Sequence, residues 1–348
     1  MAASKQAAQN QHYVPKFILR NFLIDERKEK VAVFSKRTGE IITPSIKGIM
    51  AERRFHDFVV DDRYRASFED AISRIEDTVL PTYRRVVAEE RLTHDPEEKA
   101  TLAFLMAFQL VRTRSQRDQF RQMEKLLSSK LERLGGKLED LEGWEPLTDD
   151  LLTLQHMKLV QDSIVEFTRE IASKDLLLQK APPERALYLS DNPVTLHNGQ
   201  PADSLFGNIG LAVKGIEIYM PLSPSLTLCA WCPSLLGKMR SDLSKSRNEA
   251  AAQALAAVQC GRLSTSAMKQ TMDKLNEVLF PVISMIEAAD KGLPQPLASA
   301  NVDYLNSLQL RAAREFVICQ RQDFDLARRF MAENPGHEGR KMRDASQA

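Results

Sequence analysis

The chain has 348 residues, 43% hydrophobic and 27% charged, with 14 Gly and 16 Pro; this is a globular composition, and it excludes a low-complexity or disulfide-framed chain. Lys and Arg number 48 against 47 Asp and Glu, so a general polyanion binder is disfavoured and any contact with nucleic acid must use a local basic patch. Four scattered cysteines, and an opening "MAASKQAAQNQ" without the apolar core of a signal peptide, give the expectation of a cytoplasmic protein. No apolar run approaches the roughly 18 residues of a membrane span.

Residues 1–10 read as a disordered tail and 11–330 as a single domain. "QHYVPKFILRNF" places His12 and Tyr13 at the mouth of a short helix, with Pro15 in its first turn and Phe17, Ile18 and Phe22 inward. "KVAVFSK" and "EIITPSIK" around "RTGE" predict a hairpin from Val31 to Ser45, and "AERRFHDFVVDDRY" reads as a loop. From Arg65 to about Glu90 apolar residues recur at helical spacing, flanked by Glu69 and Glu76. Asp95, Pro96 and Glu98 open what reads as the longest helix, running unbroken to Gly135-Gly136, and another is expected from about Leu151 to Ser173. Beyond Lys174, "DLLLQKA", "RALYLS", "IEIYMP" and "LTLCAWC" are strand-like. An alanine-rich helical stretch, a late helix "VDYLNSLQLRAAREF", a strand "VICQ" and a helix "DLARRFM" follow, and 331–348 reads as a disordered tail. The fold class expected is α+β: a helical bundle over about 65–173 packed against a mixed or antiparallel sheet drawn from the N-terminal and C-terminal segments.

On the long helix the line Leu102, Leu105, Gln109, Arg112, Gln116 turns an apolar stripe into Gln and Arg, so these polar side chains point inward or into a cleft. A buried guanidinium needs a carboxylate or several acceptors, which suits Arg112 to a structural ion pair or to an anion site. "LYLSDNPVTLHN" puts Asp191 and Asn192 at a strand end, where they either tie down their own loop or face a pocket. His12 is the group of the opening stretch that titrates near neutrality, and it serves equally as a proton carrier or as a buried imidazole on a backbone carbonyl. Strand packing explains "CAWC" better than half a zinc site, and helix capping explains His94-Asp95. No P-loop, nucleophile-elbow or dinucleotide fingerprint is present.

"HYVPKFILRNF", "QLVRT", "SDNPV", "MPLSPSLTL" and "LNSLQLRAAREFVI" occur in an order that resembles the domain-of-unknown-function family 4238, over about Gln11 to Phe330. Ile18 replaces an expected aromatic, Arg114 an expected proline, and about 234–300 looks like a helical insertion. The resemblance implies where a site lies and no chemistry. The expectation is therefore a hydrolase acting on a phosphate-bearing substrate, nucleic acid or nucleotide. In it His12 is the acid/base, Arg112 the anion clamp and Asp191 a second acid/base or orienting group, with Arg20, Asn21, Gln109, Asn192 and Glu69 binding substrate. The competing reading is a non-catalytic anion- or partner-binding sensor module, and a third makes the cluster a buried polar network that fixes the fold.

Overall fold

A three-residue segment becomes a strand only when another pairs with it. In the computed structural model, which describes residues 10–61, 64–201 and 207–341, β1 (Asn10–His12) runs antiparallel to β4 (Ala51–Arg53) with His12 opposite Ala51. Pro15 caps α1 (Lys16–Leu19), and a tight turn over Arg20–Phe22 continues it. Phe17, Ile18, Leu19 and Phe22 of this segment are buried. The expected hairpin forms as β2 (Val33–Ser35) and β3 (Ile41–Ile42). The stretch read as a loop after residue 50 instead supplies β4 and a second hairpin, β5 (Asp57–Asp61) with β6 (Tyr64–Ser67); its "FVV" run is β-branched and aromatic.

The helical layer comprises α2 (Glu69–Glu89), α3 (Pro96–Val111), α4 (Arg114–Arg133) and α5 (Asp149–Ala172). The cap expected for α3 is in place, since the Asp95 carboxylate accepts from the Glu98 amide at 3.3 Å. The long helix is not continuous, however. It breaks at Arg112-Thr113, where Thr113 is extended, although no Gly or Pro stands there.

Two sheets pack against these helices. The larger has the order β12-β7-β11-β10-β9, built from β7 (Asp175–Lys180), β9 (Thr195–Asn198), β10 (Ile216–Pro221), β11 (Leu226–Trp231) and β12 (Pro294–Pro296). It is antiparallel except where β12 lies parallel to β7, and every residue of the central β11 is buried. The smaller has the order β3-β2-β13-β8, so that β13 (Phe316–Ile318) joins β8 (Leu189–Ser190) to the N-terminal hairpin. The fold is α+β, with one sheet drawn from both ends of the chain. α6 (Pro233–Gln259) and α7 (Thr265–Lys291) form a helical hairpin in the 234–300 stretch. α8 (Ser299–Ala312) and α9 (Asp325–Glu333) complete the chain.

The expected tails at 1–9 and 342–348 lie outside the described residues, whereas 331–341 includes the end of α9 and a segment whose His337 meets Lys36. Among the described residues no helix is long and apolar enough to cross a membrane.

Gly292 ends α7 with φ +65°, its carbonyl accepts from Leu92 at 2.8 Å, and an added Cβ would overlap the Leu92 carbonyl. Gly292→Ala is expected to lower stability by about 2–3 kcal/mol, read as a lower urea midpoint with an unchanged slope.

Candidate functional site

The C-terminal turn of α3 grips the opening segment by its backbone. Arg112 donates from Nη2 to the His12 carbonyl at 2.6 Å and from Nη1 to Glu76 Oε1 at 2.7 Å, and its guanidinium lies 4.8 Å from the centre of the Phe108 ring. One turn earlier, Gln109 Nε2 donates to the next carbonyl, that of Tyr13, at 2.9 Å. These two carbonyls at the end of β1 thus receive their donors from side chains rather than from a strand. Arg112 is 1% exposed.

The imidazoles around this grip are buried and neutral. His12 Nε2 donates to the Ile46 carbonyl at 2.8 Å, which fixes the tautomer, because a carbonyl only accepts. Burial holds its pKa below the usual histidine value. His56 donates from Nδ1 to Glu69 Oε2 at 2.8 Å; burial and the neighbouring Arg112 and Arg117 push its pKa well down, while burial pushes Glu69 up. Nδ1 and the Glu69 carboxyl group share this bond, and the His56 Nε2 has no partner among the described residues. His156 donates from Nε2 to the Val111 carbonyl at 2.8 Å and accepts from Arg117 Nε at 3.4 Å, and burial lowers its pKa to about 3. Arg117 also bonds the Phe55 carbonyl and lies over the Phe55 ring.

Asp191 is not part of this cluster. Its two oxygens accept from the backbone amides of Arg314 and Glu315 at 2.8 Å and of Phe316 at 3.0 Å. Burial raises its pKa against those bonds. From the other side Lys36 Nζ donates to the carbonyls of Leu310 and Ala313 and to His337 Nδ1 at 2.9, 2.6 and 2.9 Å, and burial brings its pKa down to about 8. On α8, Asn306 bonds the backbone of Ala186 and Tyr188, and Gln309 that of Ser190 and Pro193. "LNSLQLRAAREF" and "LYLSDNPV" are therefore two halves of one lock.

The other expected site residues divide. Glu69 belongs with His56. Asn21 donates to Tyr83 Oη at 2.7 Å and to the Leu222 carbonyl at 2.9 Å, joining α1, α2 and the large sheet. Arg20 is half exposed and pairs with Glu29 at 3.2 Å, apart from the cluster. Asn192 accepts from Thr113 Oγ1 at 3.1 Å and donates to the Ala312 carbonyl at 3.4 Å. The Thr113 hydroxyl is thereby drawn away from capping α4, whose first turn has no side-chain cap.

That diversion opens a concave site. A cleft of about 1350 Å³ is walled by Ser115, Gln116 and Gln119 of α4, by Asn192 and Thr195, by Arg311 of α8 and by the 334–341 segment with His337, Arg340 and Lys341. Arg311 has no ion pair among the described residues; Arg340 reaches only the Leu196 carbonyl, at 3.4 Å. Thr195 is 4% exposed and its hydroxyl has no partner among the described residues. An uncapped helix start beside uncompensated cations attracts anions. His12 and Arg112 do not border the cleft.

A family model described as "Protein of unknown function (DUF4238)" matches residues 10–323. No curated protein and no solved structure matches the chain.

Two outcomes follow from this geometry. Arg112→Ala should destabilise by about 3 kcal/mol, because Glu76 and a buried carbonyl lose their partner, and Arg112→Lys should not restore it, having no planar fork to reach both; denaturant titration reads both. His156 is held neutral in the fold, so the unfolded chain binds more protons between pH 6.5 and about 3 and stability falls as pH drops through that window. In His156→Gln the fall should be shallower by up to about 1.4 kcal/mol per pH unit, one proton's worth.

Proposed function

The chain therefore belongs to that family, and we propose that it binds a phosphate-bearing ligand, a nucleotide or a nucleic acid, in the cleft beside Asn192. One observation carries this reading: Arg311 and Arg340, without carboxylate partners among the described residues, line the same cleft as the first turn of a helix whose N-cap hydroxyl is engaged elsewhere. Arg is suited to phosphate oxygens through its fork of donors. The walls are held rigidly by the Asp191 and Lys36 clamps, which lowers the ordering cost of binding. The role proposed is that of a non-catalytic binding or sensor module. A cytoplasmic setting is part of the proposal, supported by the four unpaired cysteines.

A second reading, hydrolysis of a phosphate-bearing substrate at the His12 cluster with Arg112 as anion clamp, is favoured by the His56–Glu69 pair. A carboxylate that orients an imidazole and leaves its far nitrogen free is the arrangement of a general base. His12 and Arg112 are already engaged with backbone carbonyls, so in this reading His56 takes the proton and the partly exposed Glu69 rim must open.

Isothermal titration with ATP and inorganic phosphate separates the two. Binding is expected, and the double variant Arg311→Ala, Arg340→Ala should weaken it at least tenfold with no change in melting temperature. Turnover of nucleotides or RNA that His56→Gln lowers by a hundredfold or more, at unchanged melting temperature, would establish the second reading instead.

A further inference from the structure

We infer that the occupant of the cleft is a single nucleic-acid strand, held through its phosphodiester backbone, rather than a free mononucleotide or a duplex. The inference rests on the cleft reading above and names its ligand. Pockets for small molecules run to roughly 300–1,000 Å³; the cleft, at about 1350 Å³, is larger than one nucleotide needs. Its lining is also of two kinds. Arg311, Arg340 and Lys341 offer cations, although Lys341 is shared with Glu338 at 3.1 Å, while Leu126, Leu196 and Leu308 offer aliphatic surface. A single strand presents both matching surfaces, phosphates and unpaired base faces, whereas a duplex hides its base faces in the stack. The hydroxyl of Thr195, nine-tenths buried in the wall and without a partner among the described residues, and the side-chain amide of Gln116 supply hydrogen bonds for bases or sugars. With a net charge of only +1 for the whole chain, the attraction is local to these few cations, which sets a small and countable salt dependence.

The test is fluorescence anisotropy of the full chain with labelled ten-nucleotide dT and U strands over a series of KCl concentrations, with a duplex of equal length, ATP and inorganic phosphate as competitors. Two to three phosphate contacts predict a slope of log K against log salt of about −1.4 to −2.1, at about −0.7 per contact on a single strand. Arg311→Ala should make the slope shallower by about 0.7 and weaken binding, and Arg20→Ala, at an exposed residue that does not line the cleft, should change neither. ATP and the duplex should compete at least tenfold more weakly than unlabelled strand. ATP binding as tightly as the strand, or a duplex binding tighter, overturns the ligand assignment while the anion cleft stands. Strand binding that ignores Arg311→Ala and Arg340→Ala together overturns it by placing the strand on another surface. Failure of strands, ATP and phosphate alike overturns both.

Discussion

The fold depends on one buried guanidinium. Arg112 joins the backbone of His12 to Glu76 of α2 from the last turn of α3, so strand, helix and helix meet at a single planar group. A buried arginine is strongly unfavourable without a carboxylate or several acceptors; Glu76 and the His12 carbonyl supply two, while Nε has no partner among the described residues, and that demand propagates outward. Its geometry is incompatible with a helix that simply continues: Arg112 closes α3, Thr113 turns extended, and α4 departs in a new direction. Gln109 and Arg112, spaced three apart, reach consecutive carbonyls, which is why "HYV" needs an extended backbone and why Pro15 after it, with no N–H to place, is no loss.

A second frame forms where the two ends of the chain meet. The Asp191 carboxylate collects three amides of the turn after α8, and Lys36 collects two carbonyls of the same turn. An acid and a base thus satisfy opposite poles of one loop, which removes the penalty of burying its backbone. This use of Asp191 differs from the acid/base role expected of it, since saturation by amides favours a fixed carboxylate with a structural duty. The His12 cluster similarly fits the buried-network reading at His12 and Arg112, with the His56–Glu69 pair as the part left incomplete.

How much of this was legible in the sequence follows from the range of each interaction. Capping at Asp95, the periodicity of α2 and α5 and the hairpin over Val33–Ile42 are local, and they were readable. The polar continuation of the α3 stripe correctly marked Gln109 and Arg112 as inward, because helical spacing alone carries that information. The break at Arg112-Thr113 was not readable, since no Gly or Pro marks it and tertiary bonds decide the matter. Nor was the destination of Asp191, whose partners lie more than a hundred residues downstream. His56 sat in a stretch read as a loop, and its only local signal was the His56-Asp57 pair. The cleft was hidden for another reason: one of its walls is the 334–341 segment, whose Gly, Pro and charged residues look like a tail. Gly339 has φ +83°, and a Cβ added there would stand 3.0 Å from the Ala312 carbonyl, so glycine is what lets this segment lie close against α8.

The two frames touch at one place, and it is there that the concave surface lies. Thr113 belongs to the Arg112 break and Asn192 to the Asp191 turn, and the bond between them at 3.1 Å is a direct link from one to the other. Because each end of that bond belongs to a buried network, exchanging the link for a cap on α4 would disturb one of them. The first turn of α4 consequently has no side-chain cap, its Gln116 amide turning back to the Thr113 carbonyl at 3.1 Å, with the cation of Arg311 on the end of the helix that Lys36 anchors. An unsatisfied helix start is ordinarily relieved by its own side chains. Here the fold's two strongest constraints deny it that relief, and the helix start so left without a side-chain cap, together with the hydroxyl of Thr195, which has no partner among the described residues, is what an external ligand can satisfy.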